Sequence, residues 1–306
     1  MSKPTVPFHG IDAIELRRGA DRARLAPQYG GLLLDWHVGG QEVVRWPAGP
    51  TDWEKVTKVR GGNPVLFPFI ARHFVDGVLG RWKDEKGVVR DLPMHGFARK
   101  MAYQVLPEGG EDSVRLRIES TPETLEMYPF PFVFEVAYRL AGDGVLEVEL
   151  ATTNTGSAPL PYYAGHHFYL NIPHAERPAW TLEFPFEKTG MRKSEEGGEV
   201  VFGPAPEASS TLDNPALIDR FQIGPKRNRF SLRHQDGRTI EFDLAPRETV
   251  PWHTVTTWSE TPTSDFYCVE PWLGLPDAIH HEGYGLRHVA PGATERAVCA
   301  LRYRAA

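Results

Sequence analysis

Apolar and polar side chains alternate through a series of short stretches of this chain, and a period of two marks half-buried β-strands. The clearest pair is 132–140 (FVFEVAYRL) and 145–150 (VLEVEL), on either side of Ala141-Gly-Asp-Gly144. With Gly142-Asp143-Gly144 as a three-residue loop, Leu140 pairs with Leu146, Tyr138 with Val148 and Val136 with Leu150. The apolar residues of both strands then share one face, while Glu147 and Glu149 point the other way. A type I turn closed by a left-handed glycine is a common loop of this length, and Gly144 fits that position.

Residues 230–234 and 238–244 repeat the pattern around Gln235-Asp-Gly237. A three-residue loop sets Phe230 against Phe242 and Leu232 against Ile240. A two-residue loop sets Leu232 against Glu241 instead, so register selects the longer one. Val114, Leu116 and Ile118 alternate in the same way after Gly109-Gly110. The 29 glycines and 27 prolines recur at short intervals that leave little room for helices of ordinary length. The pattern predicts an all-β protein, a large antiparallel β-sandwich. With no repeat, low-complexity tract or linker to divide it, 1–306 is expected to be a single domain. The polar stretch 190–208 (GMRKSEEGGEVVFGPAPEA) reads as a long loop on it.

Composition narrows the function. The 34 basic residues against 40 acidic ones, a net charge of −6, give no overall attraction to nucleic acid or anionic lipid. Cys268 and Cys299 form neither a disulfide framework nor a C-x-x-C pair. Residues 1–10 lack the apolar centre of a secretory signal, and no run approaches a membrane span. The expectation is a cytoplasmic protein, a monomer or weak homodimer, whose partner is a small molecule and neither nucleic acid nor membrane.

Four segments carry candidate chemistry. In 164–172 (AGHHFYLNI) strand parity puts His166, Phe168, Leu170 and Ile172 on one face and His167, Tyr169 and Asn171 on the other. The first face is apolar. The second gathers imidazole, phenol and amide, so His167 is preferred to His166 as a functional group, the alternative being two structural histidines. In 92–99 (LPMHGFAR), His95 stands beside a glycine that permits close approach, with Arg99 four residues on; a His-Gly pair alone is more often only a turn. In 266–272 (FYCVEPW), Glu270 is the only charge in an apolar strand, where a carboxylate needs either a partner or a task. Pro271 should end the ladder there and put Glu270 at a strand end. In 60–72 (RGGNPVLFPFIAR), Arg60 and Arg72 bracket an apolar run and can reach a carboxylate or an oxygen-rich ligand, or serve as sheet-edge charges. Trp272 is the tryptophan best set to stack on a ligand, although any single tryptophan is more often core.

The chain has no G-x-G-x-x-G, P-loop, H-E-x-x-H or G-x-S-x-G motif. The adjacent pairs His166-His167 and His280-His281 point apart on a strand and chelate one metal poorly, so no metal is expected.

In order and content these segments resemble the aldose 1-epimerase (galactose mutarotase-like) family. The matching pieces are GGNPVLFPFIAR (61–72), MHGFAR (94–99), GHHFYLNI (165–172), LIDRF (217–221) and FYCVEPWLGLPDA (266–278). The resemblance implies a β-supersandwich and a cofactor-free isomerase that interconverts the α and β anomers of a hexose. It implies that Glu270 removes the proton of the anomeric hydroxyl and that His167 protonates the ring oxygen. His95 then hydrogen-bonds the substrate near the reacting centre, Arg72 lies near the carboxylate and the sugar oxygens, and Asp219 binds sugar hydroxyls.

RGGNP and HGFAR look closer to the branch that includes hexose-6-phosphate epimerases, in which Arg60 and Arg99 could clamp a phosphate. GHHFYL and CVEPW look closer to the uncharacterised aldose 1-epimerase-like branch. A rival from another class is a non-catalytic carbohydrate-binding sandwich, which needs aromatic platforms but no acid–base pair.

Overall fold

A computed structural model describes residues 3–306. The first hairpin forms in the expected register, with Val136, Tyr138 and Leu140 opposite Leu150, Val148 and Leu146. Its turn differs in detail. Asp143 (φ 51°) and Gly144 (φ 66°) are both left-handed, and the extra residue is taken up as a bulge between Leu140 and Gly142. That is the two-residue I′ geometry, whose twist matches the flanking strands. Gly144 is required there for space too, because a Cβ would lie 2.5 Å from the Tyr303 carbonyl oxygen. The second hairpin keeps its three-residue loop, pairing Phe230 with Phe242 and Leu232 with Ile240.

These hairpins belong to a nine-stranded antiparallel sheet, which faces a thirteen-stranded one across the core. Val136, Tyr138, Leu146 and Val148 of the smaller sheet pack in one apolar cluster with Leu16, Trp36, Val44 and Val269 of the larger. Each such side chain contributes about 1.5–3 kcal/mol by leaving water. The strand alternation therefore produces the predicted sandwich. The one α-helix among the described residues is the short Pro122–Met127, capped by Thr121. No helix in this part of the chain is long and apolar enough to cross a membrane.

From the middle of the large sheet to one edge run, in order, Gln41–Val44, Phe168–Leu170, Tyr267–Trp272, Thr254–Trp258, Arg220–Pro225, Phe186–Arg192 and Val200–Gly203. Two expectations are corrected here. The ladder does not stop at Pro271, which pairs with Val255 inside the strand, so Glu270 lies mid-sheet. The missing N–H of Pro271 coincides with a gap on the other side, where His167 falls between the short strands Gly165–His166 and Phe168–Leu170. The N–H of His167 is donated instead to Asn63 Oδ1, at 2.8 Å. The stretch 190–208 is also more than a loop, since Phe186–Arg192 and Val200–Gly203 pair as a hairpin at the sheet's edge. Phe186 and Val200 are buried but Met191, Val201 and Phe202 are exposed there, so apolar and polar residues do not alternate with burial as a strand is read.

Candidate active site

On the face of the large sheet turned away from the core, a cavity of about 420 Å³ opens above Glu270, within the range of about 300–1,000 Å³ typical of small-molecule sites. Cross-strand register builds its floor. Thr256 lies directly opposite Glu270, and Phe221 lies opposite Thr256. His167 flanks Glu270 on the other side, with Nε2 3.5 Å from Glu270 Oε2. Tyr169, Trp258 and Trp272 complete the aromatic lining.

Strand parity separates the two histidines as expected. His166 turns into the core between Phe168 and Trp252, and its Nδ1 meets Asn63 Nδ2 at 3.1 Å. The amide nitrogen is the donor, so His166 carries its proton on Nε2. His167 faces the cavity, stacked on Tyr169 at 4.6 Å and edge-on to Trp258. Asn171, expected on the same ligand face, lies off the cavity and donates to the Glu42 carbonyl at 3.4 Å. Asn63 thus holds one histidine by its side chain and the other by its backbone.

Glu270 has no structural ion pair. It is 1% exposed, its Oε2 has no hydrogen-bond partner, and no Lys or Arg of the described residues pairs with it. Burial, with the nearby charge of Asp219, pushes its carboxyl well above the usual range. Burial drives the His167 imidazole down to about 3, helped by the charges of Arg99 and Arg60. Both shifts favour the neutral pair, with the proton on Glu270.

His95 reaches the cavity from a turn that docks tightly on the neighbouring segment. Its N–H donates to the Ala71 carbonyl at 2.9 Å, and its Nδ1 accepts from the Ala71 N–H at 3.0 Å. The ring is therefore the Nε2–H tautomer, a donor toward the site. Burial and the Arg99 charge hold its pKa well below the ordinary value, so it stays neutral. Gly96 (φ 74°) makes the docking possible, because a Cβ there would sit 2.0 Å from the Phe67 carbonyl oxygen.

Every other sequence-predicted site residue also lines this cavity. Arg72 pairs with Glu195 rather than with Glu270. Asp219, left-handed at φ 52°, accepts from Arg192 Nε at 3.0 Å. Arg60 donates to Glu260 at 2.7 and 3.0 Å. Arg99 donates to the Met94 carbonyl at 3.0 Å and has no carboxylate partner among the described residues. Sequence reading missed Arg192, because its segment read as loop, and Asn63 and Thr256. An asparagine between glycine and proline fits an ordinary turn, and nothing in a Thr-Val-Thr-Thr run announces a cavity.

His167, Cys268 and Glu270 also bring three potential metal-ligand atoms within 4.8 Å of one another. Arg60 and Arg99, whose charges act on His167, oppose a cation there.

A carboxyl and an imidazole 3.5 Å apart, beside a neutral imidazole donor and in a sugar-sized cavity with aromatic walls, can remove one proton while delivering another. The chain is 27% identical over 256 residues to protein LacX of Lactococcus lactis subsp. lactis, a match spanning 76% of this chain and 79% of LacX. It is 28% identical over 142 residues to a candidate glucose-6-phosphate 1-epimerase of Escherichia coli (strain K12), over 45% of this chain and 43% of that protein. The fold matches that of a galactose mutarotase-like protein from Clostridium acetobutylicum with a TM-score of 0.82 at 17% identity, over 99% and 98% of the two chains. Residues 12–302 match the sequence profile of the aldose 1-epimerase family, and the chain belongs to that family.

Proposed function

We propose that this protein is an aldose 1-epimerase, interconverting the α and β anomers of a hexose by acid–base opening and closing of the ring. The observation that carries the reading is the buried Glu270–His167 pair, 3.5 Å apart, with an unpartnered carboxylate oxygen beneath a cavity of sugar size. Glu270 takes the proton of the anomeric hydroxyl as His167 gives one to the ring oxygen. The C1–C2 bond then rotates, and the reverse transfers close the ring on the other carbonyl face. Each group supplies ~10²–10⁴-fold.

In the free site the pair's one proton sits on Glu270. The reaction needs it on His167, and the sugar itself can drive that shift. Its anomeric O–H donates to the bare carboxylate, and its ring oxygen accepts from the imidazolium, so each charged group gains a hydrogen bond it lacks without ligand. His95 Nε2–H supplies a further donor, Arg72 contacts sugar oxygens, and Asp219 with Arg192 faces the ring hydroxyls beyond Thr256.

A second reading, with a 6-phosphorylated hexose as substrate, is favoured by Arg99. It is the one arginine lining the cavity without a carboxylate partner among the described residues, and it lies close enough to His167 and Tyr169 for their charges to act on one another. With the ring oxygen at His167, C5 and C6 extend to that side. Arg60, beside Tyr169, is the second candidate clamp.

Anomer-resolved NMR or polarimetry on free and 6-phosphorylated aldoses tests both readings. Anomer exchange of at least one aldose, lost in Glu270→Gln, is expected. No exchange by the wild type on any of them sinks the enzyme in favour of a sugar-binding sandwich.

A further inference from the structure

Three threonines of the strand Thr254–Trp258 are buried, and they differ in one respect. Thr254 donates its hydroxyl to the Gln222 carbonyl at 2.8 Å and Thr257 to the Arg220 carbonyl at 3.4 Å. Thr256, 2% exposed, lines the cavity, and its Oγ1 has no partner. A buried hydroxyl left unpaired is costly and is rarely kept without a use. The two unsatisfied oxygens of the cavity floor, Thr256 Oγ1 and Glu270 Oε2, stand on directly opposed residues of adjacent strands, with Cβ atoms about 4.5–5.5 Å apart by sheet geometry.

The order across the floor is His167, Glu270, Thr256. An aldose with its anomeric oxygen on Glu270 and its ring oxygen toward His167 has C1 between the ring oxygen and C2. The C2 substituent therefore falls on the side of Thr256. We infer that Thr256 Oγ1 hydrogen-bonds the C2 hydroxyl and makes the site selective for 2-hydroxy over 2-deoxy aldoses; this rests on the epimerase reading above. A site built to pair a substrate hydroxyl rejects the analogue that lacks it, because its own buried group is then stranded. Phe221, next in the row, has no polar atom to substitute for the threonine.

The test compares kcat/KM for D-glucose and D-galactose with that for their 2-deoxy forms, by anomer-resolved NMR, in wild type, Thr256→Val, Thr256→Ala and Thr256→Ser. The wild type should prefer the 2-hydroxy sugar on the order of tenfold, the strength of one good hydrogen bond. Thr256→Val, which keeps the shape and deletes only the hydroxyl, should bring that ratio close to one, and Thr256→Ser should retain it. A wild-type ratio near one overturns the inference whatever the variants do. So does an unchanged ratio in whichever of the Val and Ala variants is folded, or an equal slowing of both sugars, which marks a structural role. In those cases the wild type's activity leaves the epimerase reading standing. A wild type inert on all four sugars is compared in the same way on glucose 6-phosphate and 2-deoxyglucose 6-phosphate; inert on those too, it removes that reading, and the inference with it.

Discussion

Adjacent histidines on opposite faces of one sheet give the sharpest contrast at the level of single residues. His166 sits in the core with its Nδ1 on Asn63, so His166→Ala should cost about 1–3 kcal/mol of stability and leave the cavity groups in place. His167→Ala deletes a cavity side chain whose backbone N–H keeps its bond to Asn63. It should melt near the wild type and lose anomer exchange by about 10²-fold or more. Melting curves and exchange rates on both variants decide it, and a stable but inactive His166→Ala contradicts the assignment. The titration of the pair adds a second test. A second proton enters only as His167 titrates, at about 3, and the pair's single proton leaves only as the raised Glu270 carboxyl titrates. The profile of kcat/KM should therefore stay flat as pH falls through roughly 6.5, where an ordinary imidazole would charge. An acid limb near that value would contradict the neutral pair. Glu270 stood out in the sequence as the one charge of an apolar strand, and His167 by sharing a polar strand face with Tyr169. Thr256 was not, since a threonine fits a strand with or without a ligand, and only the missing acceptor marks it out.

Turns and strands bring these groups together, and at that scale local chemistry predicted what it governs. Hairpin register follows from period-two alternation and a Gly at the turn, so pairs such as Tyr138–Val148 and Leu232–Ile240 could be named in advance. The course of the chain around Pro271 could not, because whether a proline ends a ladder depends on which neighbour needed its N–H, a tertiary matter. The His95 turn combines both kinds of information. Gly96→Ala should cost at least about 2 kcal/mol, from the left-handed backbone plus the clash with the Phe67 carbonyl, and should lower activity by displacing His95. Gly10→Ala is the control. Its φ of 89° is also positive, but nothing lies within 4 Å of the added methyl, so about 1 kcal/mol from backbone strain alone is expected. Equal losses of melting temperature in the two variants would show that the docking of this turn contributes little.

For the molecule as a whole, net charge is a poor guide to what its cavity attracts. The chain carries −6, yet the cavity is lined by Lys58, Arg60, Arg72, Arg99, Lys100 and Arg192 against only Asp219 and Glu270. Glu195 and Glu260, outside the lining, neutralise part of this by pairing with Arg72, Arg192 and Arg60. Of the four arginines Arg99 alone is left without a carboxylate partner among the described residues, half sheltered from water, where a guanidinium meets an anion with less competition from solvent than the exposed Lys100. If the substrate carries a 6-phosphate, Arg99→Ala should cost about 1.5–3 kcal/mol in kcat/KM for the phosphorylated sugar and much less for the free one. Arg60→Ala should follow the same pattern more weakly, since its partner Glu260 already offsets its charge. Salt gives an independent check. Steering by a basic cavity is screened over about 8–10 Å at 0.1–0.15 M ionic strength. Raising the salt should therefore slow turnover of the phosphorylated hexose and leave the free hexose unchanged, and Arg99→Ala should flatten that dependence. Equal losses on both substrate classes, with no difference in salt response, would make Arg99 a wall of a neutral-sugar site and reject the phosphosugar reading.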